Sequence, residues 1–348
     1  MIQLQCDYNE GAHPRILERM LETNMEQTCG YGMDEHCQRA RNLIREACQA
    51  PDADVHFLVG GTQTNATVIA AALRPYQGVI AASTGHINVH ETGAIEHCGH
   101  KVLAIPTDNG LLSAAKVEDL LKAHFGQGEP EHEVQPAMVY VSYSSEVGTL
   151  YTKQSLQEIS AVCKRYDIPL FVDGARLGYG LMSPESDMTL ADLAQIADVF
   201  YIGGTKQGAL FGEAVVIRNE RLKRDFRYFI KQGGGMLAKG RLLGIQFETL
   251  FGECDAEGQL LYYSVAKHAI EQAMRVRDAL RAKGVRMLID SPTNQQFPIV
   301  TRAFYEQLSK EFLVSLWQEI DEEYVCIRVC TSWATRPEYI DRLIAQFA

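Results

Sequence analysis

The chain has 348 residues, 46% of them hydrophobic and 22% charged, the mix of an ordinary globular protein with room for two lobes. Its formal net charge of -11 sets it against nucleic acid and anionic membrane surfaces, both of which repel an acidic protein. The nine cysteines show no close pairing pattern and no Cys/His cluster at zinc spacing, so they read as reduced cytoplasmic thiols and no metal is expected.

Residues Met1 to Asp7 carry no basic region ahead of an apolar core, so no signal peptide is expected, and no apolar run reaches the length of a membrane span. Arg15 to Leu21 reads as a short helix after His13-Pro14. Asp34 to Ala50 has helical spacing, with Ala40, Leu43, Ile44 and Ala47 on one face. Val55 to Val59 reads as a strand that breaks at Gly60-Gly61-Thr62, and Thr64 to Leu73 is then a helix ended by Pro75. Val79 to Ala81 and Lys101 to Ile105 are further strands, followed by a turn at Asp108-Asn109-Gly110 and a helix over Ala114 to Ala123. Ala137 to Val141 is a buried-strand run, and Thr152 is placed to cap a helix that carries Leu156, Ile159, Val162 and Cys163 on one face. Two more short apolar runs, Ile168 to Val172 and Val199 to Ile202, read as buried strands. This alternation predicts a mainly parallel sheet covered on both faces.

The pattern shifts after Phe251. A long helix is expected from Tyr262 to Lys283, then strands over Arg286–Ile289, Gln296–Val300 and Tyr324–Cys330, and a closing helix from Pro337. The expected division is a large α/β domain over 1–251, including a short N-terminal segment, and a smaller α+β domain over 252–348.

Asp173 closes one buried strand, and Lys206 follows another after Gly203-Gly204-Thr205. An acid and a lysine at such strand ends suit pyridoxal phosphate, which needs an amine for its aldehyde and an acid to keep its ring nitrogen protonated. A lysine beside a cationic ring and partly desolvated has a lowered pKa and becomes nucleophilic. Gly60-Gly61-Thr62-Gln63-Thr64-Asn65, between strand and helix, is a credible phosphate cradle, with a plain βα turn as the alternative. Arg176 stands three residues after Asp173 and is placed to steady that acid, the ring hydroxyl or a substrate carboxylate; a structural Asp–Arg pair is the plainer reading. His86 is suited to stack on a pyridine ring and move protons, and Arg328, mid-strand among apolar neighbours, to grip a carboxylate.

With these residues in place the chain resembles the threonine aldolase and phenylserine aldolase group, with its β-eliminating relatives, among the fold-type-I (aspartate-aminotransferase-like) pyridoxal-phosphate enzymes. The resemblance is carried by Asp7, Tyr31-Gly32-Met33-Asp34, Gly61-Thr62-Gln63, His86, Asp173-Gly174-Ala175-Arg176, Thr205-Lys206, Gly233-Gly234-Gly235-Met236 and Arg328-Val329-Cys330-Thr331. It implies Lys206 as the Schiff-base lysine, Asp173 at the ring nitrogen, His86 stacked on the ring, and Gly61, Thr62 and Gln63 at the phosphate. It also implies Arg176 and Arg328 at the substrate carboxylate, with Tyr31 nearby from the same or a neighbouring subunit of a homodimer or homotetramer. The segment Ser142 to Thr149 departs from the family in having no histidine, so the base for a substrate hydroxyl stays open among His86, His90, Glu146 and water. The expected activity is cleavage of β-hydroxy-α-amino acids to glycine and an aldehyde; the alternative is β-elimination or transamination of another amino acid with the same cofactor.

Overall fold

The computed structural model describes residues 1–347. After a two-residue strand β1 (Ile2–Gln3), the chain builds a seven-stranded sheet from β2 (Asp54–Leu58), β3 (Gln77–Ala82), β4 (Lys101–Ile105), β5 (Gln135–Ser142), β6 (Leu170–Asp173), β7 (Val199–Gly203) and β8 (Glu213–Ile217). Their order across the sheet is β2-β8-β7-β6-β5-β3-β4. The β4-β3-β5-β6-β7 run is parallel throughout, and β8 lies antiparallel to both β7 and β2. Every residue of β6, β7 and β8 is buried, which is why these strands read as unbroken apolar runs rather than alternating ones.

Two of the helices start where a side chain satisfies one of their free N–H groups. Asp34 accepts from Cys37 N (2.9 Å) at the head of Glu35–Ala47, and Thr152 accepts from Ser155 N (3.1 Å) at the head of Lys153–Arg165, as its placement predicts. Leu156, Ile159, Val162 and Cys163 are buried on the inner face of that second helix, each large apolar side chain contributing about 1.5–3 kcal/mol.

The smaller lobe has its own core, drawn from Val276, Leu280, Val325, Ile327, Val329, Ile340 and Leu343. Its strands are β9 (Gln295–Gln296), β10 (Ile299–Thr301), β11 (Phe312–Leu313), β12 (Ser315–Glu319) and β13 (Tyr324–Cys330). β13 is central, with β10, β12 and β9 antiparallel to it. The helix Leu261–Ala282 joins the lobes: Leu261 and Val265 lie in the large core, Val276 and Leu280 in the small one.

Several features differ from the sequence expectation. Arg286–Ile289 forms no strand and contributes only a bridge from Met287 to Pro298. The single strand expected over Gln296–Val300 is split into β9 and β10, because Pro298 has no N–H to offer a ladder. β1 pairs in parallel with β11, and Ile2 and Leu4 pack in the small core, so the N-terminal segment joins the smaller lobe rather than the large one. β8 and β12 were not foreseen. No helix among the described residues is long and apolar enough to cross a membrane.

Candidate active site

The parallel strands deliver their C-terminal ends to one edge of the sheet, and the reversed β8 brings its first residue, Glu213, to the same edge. Asp173, the last residue of β6, is 4% exposed and has both carboxylate oxygens engaged. Oδ1 accepts from Tyr201 OH (2.5 Å) and Ala175 N (3.0 Å); Oδ2 accepts from Tyr140 OH (2.6 Å) and Asn65 Nδ2 (3.1 Å). Burial works to raise this carboxyl's pKa, but the imidazole of His86 and the hydrogen bonds from Tyr140, Tyr201 and Ala175 hold it below the ordinary 3.8. A buried negative charge is therefore built into the floor of the site.

Lys206 sits in the connection between β7 and β8. Gly204 N and Thr205 N both donate to Gly212 O (3.0 and 3.1 Å), and Gly212 N donates back to Thr205 Oγ1 (3.0 Å). The glycines are required by close approach: a Cβ on Gly203 would lie 2.5 Å from Ala175 O, and one on Gly204 2.7 Å from Gly212 O. Glu213 accepts from Gly204 N (3.0 Å) and Thr205 Oγ1 (2.9 Å), fixing the turn from beneath. Burial and then the Arg176 charge lower the Lys206 amine's pKa, opposed by Asp7, Asp173 and Glu213. Burial also raises the Glu213 carboxyl. Lys206 makes no ion pair with the acids among the described residues.

Gly61 and Thr62 open the helix Gly61–Ala72, whose cap residue Gly60 offers no side-chain acceptor, so its first N–H groups stay free for an anion. Gln63 turns away from them: it accepts from Val59 N (3.1 Å) and donates to Gly233 O (3.1 Å), tying the cradle to the glycine triplet. Gly61, Thr62, Ser144, Asp173, Tyr201, Thr205, Lys206 and Glu213 line one cavity of about 310 Å³. The Ser144 hydroxyl in its wall is buried without a partner. Free helix N–H groups, an ionised buried acid, a lysine amine and an orphan hydroxyl in one small cavity fit pyridoxal phosphate in size and in donor set.

His86 stands over this cavity at the head of a short helix, His86–Val89. Its Nδ1 is 2.8 Å from Glu91 Oε1, and its backbone N–H donates to Glu146 Oε1 (2.9 Å). Asn65 Nδ2 donates to both Glu91 Oε1 (2.7 Å) and Asp173 Oδ2 (3.1 Å), so one amide joins the acid of the floor to the partner of the histidine.

A second, larger cavity of about 660 Å³ adjoins the first and shares Tyr8, His86, Glu146, Arg176 and Lys206 with it. Arg328, Trp317, Leu316, Val89 and Val147 are among its other lining residues. The Arg176 partner is Asp7, not Asp173: Nε and Nη2 donate to Asp7 at 2.7 and 3.1 Å. Asp7 also accepts from Asn294 Nδ2 (2.9 Å). Burial would raise the Asp7 carboxyl, yet Arg176 first, then Lys206 and the hydrogen bonds, bring it down to about 2. Arg328 lies 5.1 Å over the Trp317 ring, donates from Nη2 to Gln5 O (2.9 Å), and keeps Nε buried without a partner.

Tyr31 is not brought to this site within the chain. It is 47% exposed, adopts φ 60°, and lies in a separate hollow with Arg41, His56 and Arg227, its ring 5.0 Å from Lys231 Nζ. The structure also adds residues that the sequence did not single out: Asn65, Glu91, Tyr140, Tyr201 and Glu213. The spacing of Glu91 from His86 was a usable signal; the others converge only through the sheet.

The model of the beta-eliminating lyase family matches residues 3–304. A Leishmania major threonine aldolase structure is 44% identical, with 100% of this chain and 98% of that one covered and a TM-score of 0.95. The low specificity L-threonine aldolase of Pseudomonas aeruginosa is 29% identical over 98% of this chain and 95% of its own. Thermus thermophilus aspartate aminotransferase, 15% identical, covers 100% of this chain and 91% of its own at a TM-score of 0.71, a likeness of fold alone. With its Lys206 and Asp173 in one cavity at the sheet edge, this chain belongs to the beta-eliminating lyase family of pyridoxal-phosphate-dependent enzymes.

Proposed function

We propose that this chain cleaves β-hydroxy-α-amino acids to glycine and an aldehyde. The observation that carries the reading is the pair of joined cavities: one fits the cofactor, and the other presents two guanidinium groups, Arg176 and Arg328, beside Lys206. When bound, the cofactor supplies the electron sink that stabilises negative charge at Cα. Lys206 would anchor its aldehyde, Asp173 would keep the ring nitrogen protonated, and Gly61 and Thr62 would hold the phosphate with first-turn N–H groups. His86, steadied by Glu91, would face the ring. The Arg328 guanidinium and the Arg176 Nη1 left over by Asp7 grip the substrate carboxylate, which orients the Cα–Cβ bond for cleavage. Thr205 and Gln63 act behind these groups, through the Lys206 turn and the cradle.

Tyr31 is best read as serving a neighbouring subunit's site. The exposed Leu21, Met25, Tyr31 and Met33 support a homodimer or homotetramer. The nine free thiols support a reducing, cytoplasmic setting. The test is a panel of amino acids with the cofactor-loaded protein. Glycine plus aldehyde from threonine or phenylserine is the expected result; ammonia plus a keto acid would instead mean elimination or transamination. Borohydride should fix the cofactor to the unaltered protein and not to Lys206→Ala.

A further inference from the structure

β5 ends at Ser142, and the chain then turns tightly through Ser144 to Gly148. Ser145 N donates to Thr149 O (3.0 Å), Gly148 N donates to Ser145 O (3.0 Å), and the Ser145 and Thr149 hydroxyls meet at 2.6 Å. The turn packs on the smaller lobe, since Ser291 Oγ donates to Gly148 O (2.8 Å). Glu146 is carried on this fixed turn and is 8% exposed. Its Oε1 accepts from Ser142 Oγ (2.6 Å) and from His86 N (2.9 Å). Its Oε2 accepts from no described residue. Glu146 is the one carboxylate among the residues lining the larger cavity, and it lines the cofactor cavity as well. Glu91, the other buried acid beside His86, lines neither, and its free Oε2 is sealed inside the protein.

We propose that Glu146 is the catalytic base that takes the proton from the substrate's β-hydroxyl group. The inference rests on the aldolase reading. One carboxylate oxygen is held by two donors and the other is left for the substrate, between the cofactor cavity and the cavity that takes the β-substituent. In the step, Glu146 accepts the hydroxyl proton and the O–H electron pair becomes the second bond of the aldehyde carbonyl. The Cα–Cβ bond breaks, and its electron pair stays with Cα, which then gains a proton to give glycine. No oxidant or further reactant is needed. His86 is assigned instead to the face of the cofactor ring, with its Nδ1 turned to Glu91.

The surroundings make this carboxylate a stronger base than an exposed one. Burial raises the Glu146 carboxyl, and the Asp173 charge adds to this, against hydrogen bonds from Ser142, its own backbone N–H and His86 N. Tyr140 on β5 and Tyr151 behind the turn face it as neutral groups, with Arg176, Lys206, His86, His90 and Arg328 as the basic groups around the same cavity.

Glu146→Gln tests this, because the amide oxygen keeps the acceptor for Ser142 and His86 N while losing the base. Cleavage of threonine or phenylserine should fall by about 10²–10⁴-fold, and the acidic limb of the kcat/KM profile should vanish. Cofactor affinity, the visible band of the loaded protein, and exchange of glycine α-protons in deuterated water should stay within about three-fold, since none involves a β-hydroxyl. Glu146→Asp should recover part of the cleavage. Cleavage within about three-fold of the unaltered protein, or a parallel loss of cleavage, glycine exchange and cofactor affinity, would overturn the assignment. If the unaltered protein cleaves no β-hydroxy amino acid, the aldolase reading falls and takes this one with it.

Discussion

Replacing Arg176 with Met keeps most of the apolar stem and removes the charge that faces Asp7. Asp7 has no exposed surface, and Arg176 supplies two of its three side-chain hydrogen bonds. In the unaltered protein the Asp7 pKa falls from 3.8 to about 2, a shift worth about 2 kcal/mol. Because the folded-state pKa is depressed, that stability is fully present above pH 3.8 and is lost as pH falls towards about 2. Removing Arg176 does more, since it leaves a buried carboxylate without its countercharge, which costs about 3–5 kcal/mol. With about 2.1 cal/mol/K of unfolding entropy per residue over 348 residues, that is about 4–7 °C in Tm for the cofactor-free protein. In the variant burial prevails and the Asp7 pKa rises, so the deficit should shrink on going from about pH 7.5 to about pH 5, as the acid takes up a proton. It should also shrink when Arg176→Met is made in an Asp7→Asn background. Melting curves of the four proteins at both pH values decide the matter. A Tm loss under about 1 °C at the higher pH, or an equal loss with Asn at position 7, would refute the claim that a buried ion pair joins Asp7 and Arg176.

Arg328→Lys should raise KM for the amino acid by about 10–100-fold, with little change in cofactor affinity, because a point charge replaces a fork of donors; an unchanged KM would remove Arg328 from the carboxylate grip. Gly174→Ala places a Cβ 1.8 Å from Tyr201 O, which must part β6 from β7. It should cost about 4 kcal/mol or more and most of the soluble yield, and an ordinary melting temperature would show that the strand ends are loosely held. Glu213 has its carboxyl raised above 4.5 by burial, so the stability that comes with its protonated form is present below that pH and lost as pH rises. Glu213→Gln should therefore gain Tm relative to the unaltered protein between about pH 5 and about pH 8; parallel curves would mean that Glu213 is ionised throughout.

The alternation of strands and helices was legible because the buried strands are plain apolar runs, and Asp173 and Lys206 stood out because each interrupts the apolar pattern at a strand end. Gly61 and Thr62 stood out as part of a glycine-rich break between a strand and a helix; that the helix itself begins at Gly61, without a side-chain cap, came from the structure. What the sequence hid is what depends on neighbours across the sheet. Tyr140 and Tyr201 look like any core aromatic until β5, β6 and β7 lie side by side and aim both hydroxyls at Asp173. Asn65 acquires its meaning only from contacts with Glu91 and Asp173, far along the chain. The ion pair of Arg176 with Asp7 was not foreseen, because Asp7 arrives from the N-terminal segment that packs with the other lobe. The reversal of β8 leaves no trace in composition: Ala214 to Ile217 is as apolar as any parallel strand here, and four residues are too few for a periodicity to show.

That reversal sets a limit on how the enzyme can vary. The other links at this edge of the sheet are long crossovers, whose length and composition can drift while the strands stay paired. The link that carries Lys206 is a hairpin, clamped at Gly203 and Glu213 by neighbouring strands and closed by hydrogen bonds on Gly212. An insertion there would shift the amine itself, whereas an insertion after β3 or β5 would reshape the cavity around a stationary amine. Changes in substrate range should therefore accumulate around Ser83, Thr84, Val89 and Val147, while the length of the segment between Gly203 and Glu213 stays fixed.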